Sequence, residues 1–355
     1  MKNRKKSKTV FKVILGLLAA AVLFVIGFFI FSMVTEFKPE DDTALEIVST
    51  QNVIDKNEDL SIVTLNIGYC GLDETQDFFM DGGKNVNPSS EDKVRENITA
   101  VDELVGLLES DFIFIQEIDK NSSRSFHIDE TELIRKEYGT RSYAQNYVCK
   151  WVPYPLPMIG KVDSGIMTMS KYKTTGANRI SLPNNNNWFK SMYMLKRCLL
   201  VNRFPIKDSD KELVLINLHF EAYSENETKE QQMKTLMQYA VKEYEKGNYV
   251  VIGGDFNMSF PKADKVLKYI EDEKIWRPGE LTSDMIPKKW KMCTDLKTAS
   301  CRSLNKAYNE DEEHQFYIID GYIISPNVNC DYVLTVNGNF RHTDHNPVFM
   351  KFSFK

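Results

Sequence analysis

Cysteine is scarce in this chain, with six in 355 residues, and no two form a C-x-x-C pair. The usual zinc and dithiol motifs are therefore excluded. Thiols this few and scattered cannot form the dense framework that staples small secreted domains. Cys293 and Cys301 are close enough in sequence to bridge outside the cell, while packing as small buried hydrophobes suits the majority. After residue 60 there is no internal repeat, second linker or shift of composition, which argues for one large domain with a substantial core. A broad positive surface is missing as well. The formal net charge is −5, and the first twelve residues contribute +6 with no acid, which leaves −11 for the rest. An acidic body argues against broad electrostatic binding to duplex nucleic acid, although not against a nuclease with a local basic rim.

Charge is wholly absent from residues 13–34, a run dominated by Leu, Ile, Val, Phe and Ala. It exceeds the roughly 20 apolar residues that span a bilayer core. A cleaved signal is the competing reading, but such segments usually have apolar cores of about 7–15 residues and a small-x-small site, which is not clear after Phe31. Length favours an uncleaved anchor. Lys2, Arg4, Lys5, Lys6, Lys8 and Lys12 precede the run, and Glu36, Glu40, Asp41 and Asp42 follow it. The positive-inside rule then predicts a single-pass protein of the cell membrane, with a cytosolic basic tail (residues 1–12) and the remainder outside. Residues 35–59 read as a polar, acidic tether, and residues 60–355 as the folded domain.

Within that domain, strand-like apolar runs alternate with amphipathic helical patterns. Val94, Ile98, Val101, Val105 and Leu108 keep helical spacing behind a Ser89 or Ser90 cap, and Met233, Leu236, Met237, Ala240 and Tyr244 mark a second helix. Strands without an intervening helix near the C-terminus add the expectation of mixed sheets in an α/β layered fold. Residues 147–160 hold too many prolines for a helix or central strand, and residues 184–187 read as a surface loop. A proline-stiffened aromatic loop either lines a site or covers a sheet edge.

The apolar runs share an ending suited to phosphoryl chemistry. They close in turn on Asn66, Glu117, His219, Asp255-Phe256-Asn257 and Asp320, and Thr343-Asp344-His345-Asn346-Pro347 precedes the last run. Strand ends gathered at one sheet edge are where α/β folds place their chemistry. Singly, such residues are usually turn or cap residues, or, for His219, a satisfied core histidine. As an ordered set they resemble the endonuclease/exonuclease/phosphatase superfamily, which includes pancreatic-type deoxyribonuclease, neutral sphingomyelinases, abasic-site endonucleases and inositol-polyphosphate phosphatases. Gly-Asp-Phe-Asn at 254–257 with the closing Asp344-His345-x-Pro is specific as a pair, and the resemblance covers residues 60–354.

The resemblance implies a four-layer α/β/β/α sandwich of two mixed β-sheets flanked by helices, here preceded by one transmembrane helix. It implies hydrolysis of a phosphoester by a metal-activated water without a covalent intermediate. Glu117 then corresponds to the principal Mg²⁺ ligand (Mn²⁺ being the alternative), with Asn66 beside it and Asp344 completing the shell or a second metal position. Asp255 corresponds to the group that orients and deprotonates water, and Asn257 to an amide steadying the transition state. His345 corresponds to the histidine that hydrogen-bonds the phosphoryl oxygen or acts in proton transfer, its tautomer fixed and its charged form favoured by Asp320. Asn217-Leu218-His219 matches the Asn-x-His of deoxyribonucleases and sphingomyelinases, which abasic-site endonucleases lack. A histidine there suits a general acid for the leaving group. Arg197 corresponds to an arginine aimed at the substrate phosphate, its plain alternative being an edge-strand surface charge. Residues 258–261 do not continue into the basic loop of inositol phosphatases, and no DNA-penetrating basic loop is present. The expected substrate is a phosphoester, either a phospholipid head group or nucleic acid, with the bilayer bound through the N-terminal helix and no protein partner implied. A phosphomonoesterase acting on a soluble sugar phosphate is the alternative. A catalytically dead binding module should have lost one of Glu117, Asp255 and His345, and all three are present.

Overall fold

The computed structural model describes residues 2–224 and 226–355, and side chains of the first helix from Lys8 onward. Met1 and the side chains of Lys2, Arg4, Lys5 and Lys6, on which the basic tail partly rests, lie outside the described residues. Strands such as Leu60–Asn66 and Tyr249–Asp255 are buried at every position. Strands apolar on both faces need cover on both sides, and this requirement dictates the layering.

Two seven-stranded sheets meet it. The first runs, in spatial order, Asp42–Ala44, Gly176–Ser181, Cys198–Pro205, Glu212–His219, Tyr249–Asp255, Asp320–Ile324 and Lys291–Cys293. The second runs Val328–Thr335, Val348–Phe354, Leu60–Asn66, Phe112–Asp119, Gly160–Ser170, Thr140–Val152 and Ile47–Val48. Each is mixed, with one parallel pair: Glu212–His219 beside Tyr249–Asp255, and Leu60–Asn66 beside Phe112–Asp119. Phe112, Phe114, Phe204, Tyr322 and Phe352 fill the space between the sheets. Helix Asn226–Glu245 covers the first sheet with Met233, Leu236, Met237 and Ala240. Helix Glu91–Gly106 covers the second with Val94, Ile98, Val101 and Val105, its start capped by Ser90, whose Oγ accepts from the Lys93 amide at 3.2 Å. The four-layer sandwich expected from the sequence is the observed fold.

One glycine has no substitute at the site edge. Gly254 sits at φ 141°, and a Cβ there would lie 2.0 Å from the Leu218 carbonyl oxygen of the neighbouring strand. Because the obstacle is backbone, Gly254→Ala is expected to cost about 3 kcal/mol or more of stability. A denaturant melt with an unchanged midpoint would contradict it.

Three segments differ from their sequence-level reading. Residues 35–59 hold strands Asp42–Ala44 and Ile47–Val48, which pair with Gly176–Ser181 and Thr140–Val152, and Ile54 is fully buried. Their short apolar positions are too sparse to register as periodicity. Residues 147–152 belong to the 13-residue strand Thr140–Val152, since the prolines begin only at Pro153. Cys293 hydrogen-bonds Cys330 rather than Cys301, because the edge of one sheet brings 293 toward the strand Val328–Thr335, while 301 faces His345.

The first helix, Lys2–Val34, has an apolar portion from Lys8 to Val34 with mean hydropathy 3.0. Its last turns touch the domain. Phe29 lies edge-on to Trp188 at 5.5 Å and stacks on Phe189 at 6.3 Å. Tyr193 Oη donates to Ser32 Oγ at 2.9 Å, and Glu36 pairs with Lys196 at 3.0 Å.

Candidate active site

Register sets the row. Asp255 stands opposite His219 on its parallel neighbour and opposite Asp320 on its antiparallel one, so three side chains leave the first sheet abreast. The second sheet supplies Asn66 and, one residue past its partner Gln116, Glu117. A bulge between Ile115 and Ile118 carries Glu117 at φ 52°. A positive φ is costly for glutamate, and here it turns the carboxylate into the cleft. Asp344 and His345 come from the loop before Val348–Phe354. A single cleft of about 730 Å³ is lined by Asn66, Glu117, Arg197, His219, Asp255, Asn257, Asp344 and His345, with Asp320 behind His345.

Hydrogen bonds tie the two sheets together across the site. Asn66 Nδ2 donates to Glu117 Oε1 and to Asp255 Oδ2, both at 3.1 Å, and the Gly68 amide donates to its Oδ1 at 3.0 Å. His345 Nδ1 meets Asp320 Oδ2 at 2.9 Å, while its Nε2 lies 3.9 Å from both Asp255 Oδ2 and Asp344 Oδ2. His219 Nε2 lies 3.5 Å from Asp255 Oδ2 and 3.8 Å from Glu117 Oε1. The Asn257 amide N–H donates to Asp255 Oδ1 at 2.9 Å, and its Nδ2 to the Phe220 carbonyl at 2.8 Å. Asn257 thus orients Asp255, its own side-chain donor being engaged by backbone. Arg197 is 4% exposed, which removes the surface-charge alternative. Its Nε is 3.6 Å from Glu221 Oε2, yet no acceptor hydrogen-bonds its Nε or Nη1 among the described residues.

Burial and neighbours divide the titratable groups. Burial, then the charge of Asp320, pushes the Asp255 carboxyl up to about 7. Burial, then the Arg197 and His345 charges, pushes His219 well below the usual imidazole range. Burial would lower His345 too, but the carboxylate of Asp320, with Cys301 and Asp344, carries it well above that range. These directions favour the charged form of His345 and the neutral form of His219 in the free protein.

The acid and histidine side chains form two groups with metal-ligand spacing: Asp255, Asp320 and His345, and Cys301, Asp344 and His345. Burial holds the Cys301 thiol up at about 12, hence protonated and a poor ligand. The oxygen donors fit a hard cation better. Burial raises the Asp344 carboxyl, with His345 and Arg302 opposing that rise and Glu117 adding to it. A Cβ at Gly68 would come 3.0 Å from Asp344 Oδ1, so glycine there keeps the approach to that oxygen open.

Every residue singled out by sequence lies in or against the cleft. Others were invisible because they sit outside the strand-end pattern. Lys229, buried on the long helix, donates to the Asn257 carbonyl at 3.2 Å, and burial lowers its ammonium to about 8. Arg124 lies 3.7 Å over the Tyr69 ring and pairs with Asp119 at 2.9 Å. Gln116 donates to Asn217 Oδ1 at 2.7 Å, bridging the sheets directly beneath the site; the glutamine of Ile-Gln-Glu-Ile was the available signal.

Layering and site together define a phosphoesterase fold holding a buried cluster of acids and histidines. The profile of the Endonuclease/Exonuclease/phosphatase family matches residues 63–293, and the chain belongs to that family. Among curated proteins none matches the sequence. Solved structures are similar in fold. An endonuclease/exonuclease/phosphatase from Beutenbergia cavernae DSM 12333 is 16% identical, with 84% of this chain and 72% of that chain covered and a TM-score of 0.57. TDP2 from D. rerio, complexed with single-strand DNA product, is 14% identical over 84% of this chain and 100% of that one, with a TM-score of 0.52. The human Nocturnin catalytic domain with bound sulfate anion is 14% identical over 88% and 97%, with a TM-score of 0.51.

Proposed function

We propose that this protein is a single-pass, membrane-anchored phosphodiesterase, dependent on Mg²⁺ with Mn²⁺ as substitute, whose catalytic domain, which includes the strands Asp42–Ala44 and Ile47–Val48, faces away from the cytosol. The observation that carries the reading is the Arg197 guanidinium, buried in the cleft beside His219 with two donors that make no hydrogen bond among the described residues, Glu221 standing 3.6 Å from one of them. Unpaired buried donors are costly, and an anionic phosphoryl oxygen relieves that cost. Arg197 and neutral His219 bind the phosphate, and Asp255, held in place by Asn66 and the Asn257 amide, accepts the proton of the attacking water. That water's oxygen bonds to phosphorus as the ester P–O bond breaks, and charged His345, backed by Asp320, gives its proton to the departing oxygen. Glu117 and Asp344, with Asn66 beside them, would hold the cation, which neutralises charge on the phosphoryl oxygens when bound. The single-strand DNA product on a structural neighbour supports nucleic acid as a second substrate reading.

The proton assignments are testable by leaving group. His345→Ala should penalise a natural phosphodiester at least tenfold more than an aryl diester, whose phenolate needs little protonation. His219→Ala should lower both rates alike, and the reverse pattern would return the acid role to His219. A panel of plasmid DNA, single-stranded DNA, sphingomyelin, lysophospholipid, inositol phosphates and an aryl diester, each with Mg²⁺, tests the class of reaction. Orientation is tested separately: protease added to intact cells should release the domain, and protection until permeabilisation would invert the topology.

A further inference from the structure

The membrane helix is itself part of the cleft wall. Val25, Phe28 and Phe29 line the same cavity as Arg197, His219 and Asp255. On the proposed reading of an anchored phosphodiesterase, we infer that the substrate is a membrane lipid, drawn sideways from the outer leaflet, with its phosphodiester at Arg197 and an acyl chain lying between the helix and the 184–195 segment.

The depth of the contact favours this occupant. Residues 13–34 form about 33 Å of helix at ~1.5 Å per residue, close to the ~30 Å hydrocarbon thickness. Phe29 is five residues from the outer end of that run, which puts it about 8 Å below it. Trp188 and Phe189, which touch Phe29, share its depth. They are 66% and 50% exposed, a poor arrangement in water and the usual one for side chains in the headgroup and upper acyl region. Trp151, Tyr154, Leu156 and Met158 form a second exposed apolar tip; Tyr154 lines the cavity together with Phe189. The rim toward the helix is mostly apolar, with Lys190 the cation on the 184–195 segment that lines it. On this side a polynucleotide would lay its charged backbone along Val25, Phe28 and Phe29, which offer no charge to neutralise it. A lipid places each of its parts in a matching environment: phosphate at the buried guanidinium, chain along the aromatic wall.

The full-length protein in proteoliposomes tests this, with a long-chain phospholipid or sphingomyelin set against a soluble aryl phosphodiester, both with Mg²⁺. The readout is the ratio of lipid to aryl turnover, with fluorescence quenching by lipids brominated in the upper acyl chain measured in parallel. The double variant Trp188→Ser/Phe189→Ser should lower the ratio about tenfold or more and lose part of the quenching. A wild type that hydrolyses the aryl diester but no lipid, or that prefers single-stranded DNA to lipid, would overturn the lipid inference and leave the phosphodiesterase reading standing. An unchanged ratio in the double variant would overturn the route along the helix. No hydrolysis of any phosphodiester in Mg²⁺ or Mn²⁺ would overturn the hydrolase reading and this inference with it.

Discussion

Asp255→Asn is expected to lower turnover by about 10²–10⁴ while leaving the protein as stable as the wild type or more so. The activity loss follows from removing the carboxylate that Asn66 and the Asn257 amide hold in place and that is proposed above as the proton acceptor. The stability result follows from the sign of its shift. A carboxyl raised from 3.8 to about 7 by burial and by Asp320 binds its proton more tightly in the folded protein. Its contribution is fully present below the unfolded value and is lost as pH rises through the folded one. In chelator, the wild type should therefore fall behind Asp255→Asn between about pH 4 and 7 and stay behind above it. A melting temperature that drops in the variant at pH 8 would mean that Asp255 is structural. His345→Ala is the contrasting case, since it leaves Asp320 buried at 1% exposure without its partner. It should cost a few kcal/mol as well as activity, so its rates need correction for the folded fraction.

Chelation is expected to abolish activity, by about 10³-fold or more, and Mg²⁺ or Mn²⁺ to restore it. Glu117→Gln should blunt that rescue. A binding readout separates this from catalysis: Mg²⁺ at ~100 times its dissociation constant should stabilise the wild type by about 2.7 kcal/mol, with much less gained by Glu117→Gln. The gain should shrink toward acid pH, where protons compete for the carboxylates. Full activity in EDTA would remove the metal from the scheme.

Much of this was legible because chemistry and secondary structure coincide. Each strand in the row ends where its side chain is used, and a buried strand announces itself as an unbroken apolar run. The helices over 91–106 and 226–245 were legible for a similar reason, with Val94 to Val105 and Met233 to Ala240 keeping one face apolar. What stayed hidden was non-local. Nothing near Lys229 in sequence signals that a helix places it under Asn257. Asp42–Ala44 is too short to alternate visibly and gains its identity only from Gly176–Ser181. The contact of Phe29 with Trp188 joins residues that no periodicity relates. The low proton affinity of His219 could not be read from spacing, since it depends on burial and then on the charges of Arg197 and His345, whereas the pairing of His345 with Asp320 was legible.

The amide bridge from Gln116 to Asn217 gives the molecule a mechanical property. Asn66, Glu117, Asp344 and His345 ride on one sheet, while His219, Asp255 and Asp320 ride on the other. The close-packed apolar layer between them resists separation, and directional polar bonds across it add a fixed register. Gln116 donates to both Asn217 and Thr64, and Asn217 donates onward to the Met167 carbonyl, all with buried partners. This dowel pins one slab against the other in shear. A shift of about 1 Å is enough to cost a site 10²-fold. Gln116 and Asn217 therefore set the tolerance of the machine from below, without touching anything that reacts.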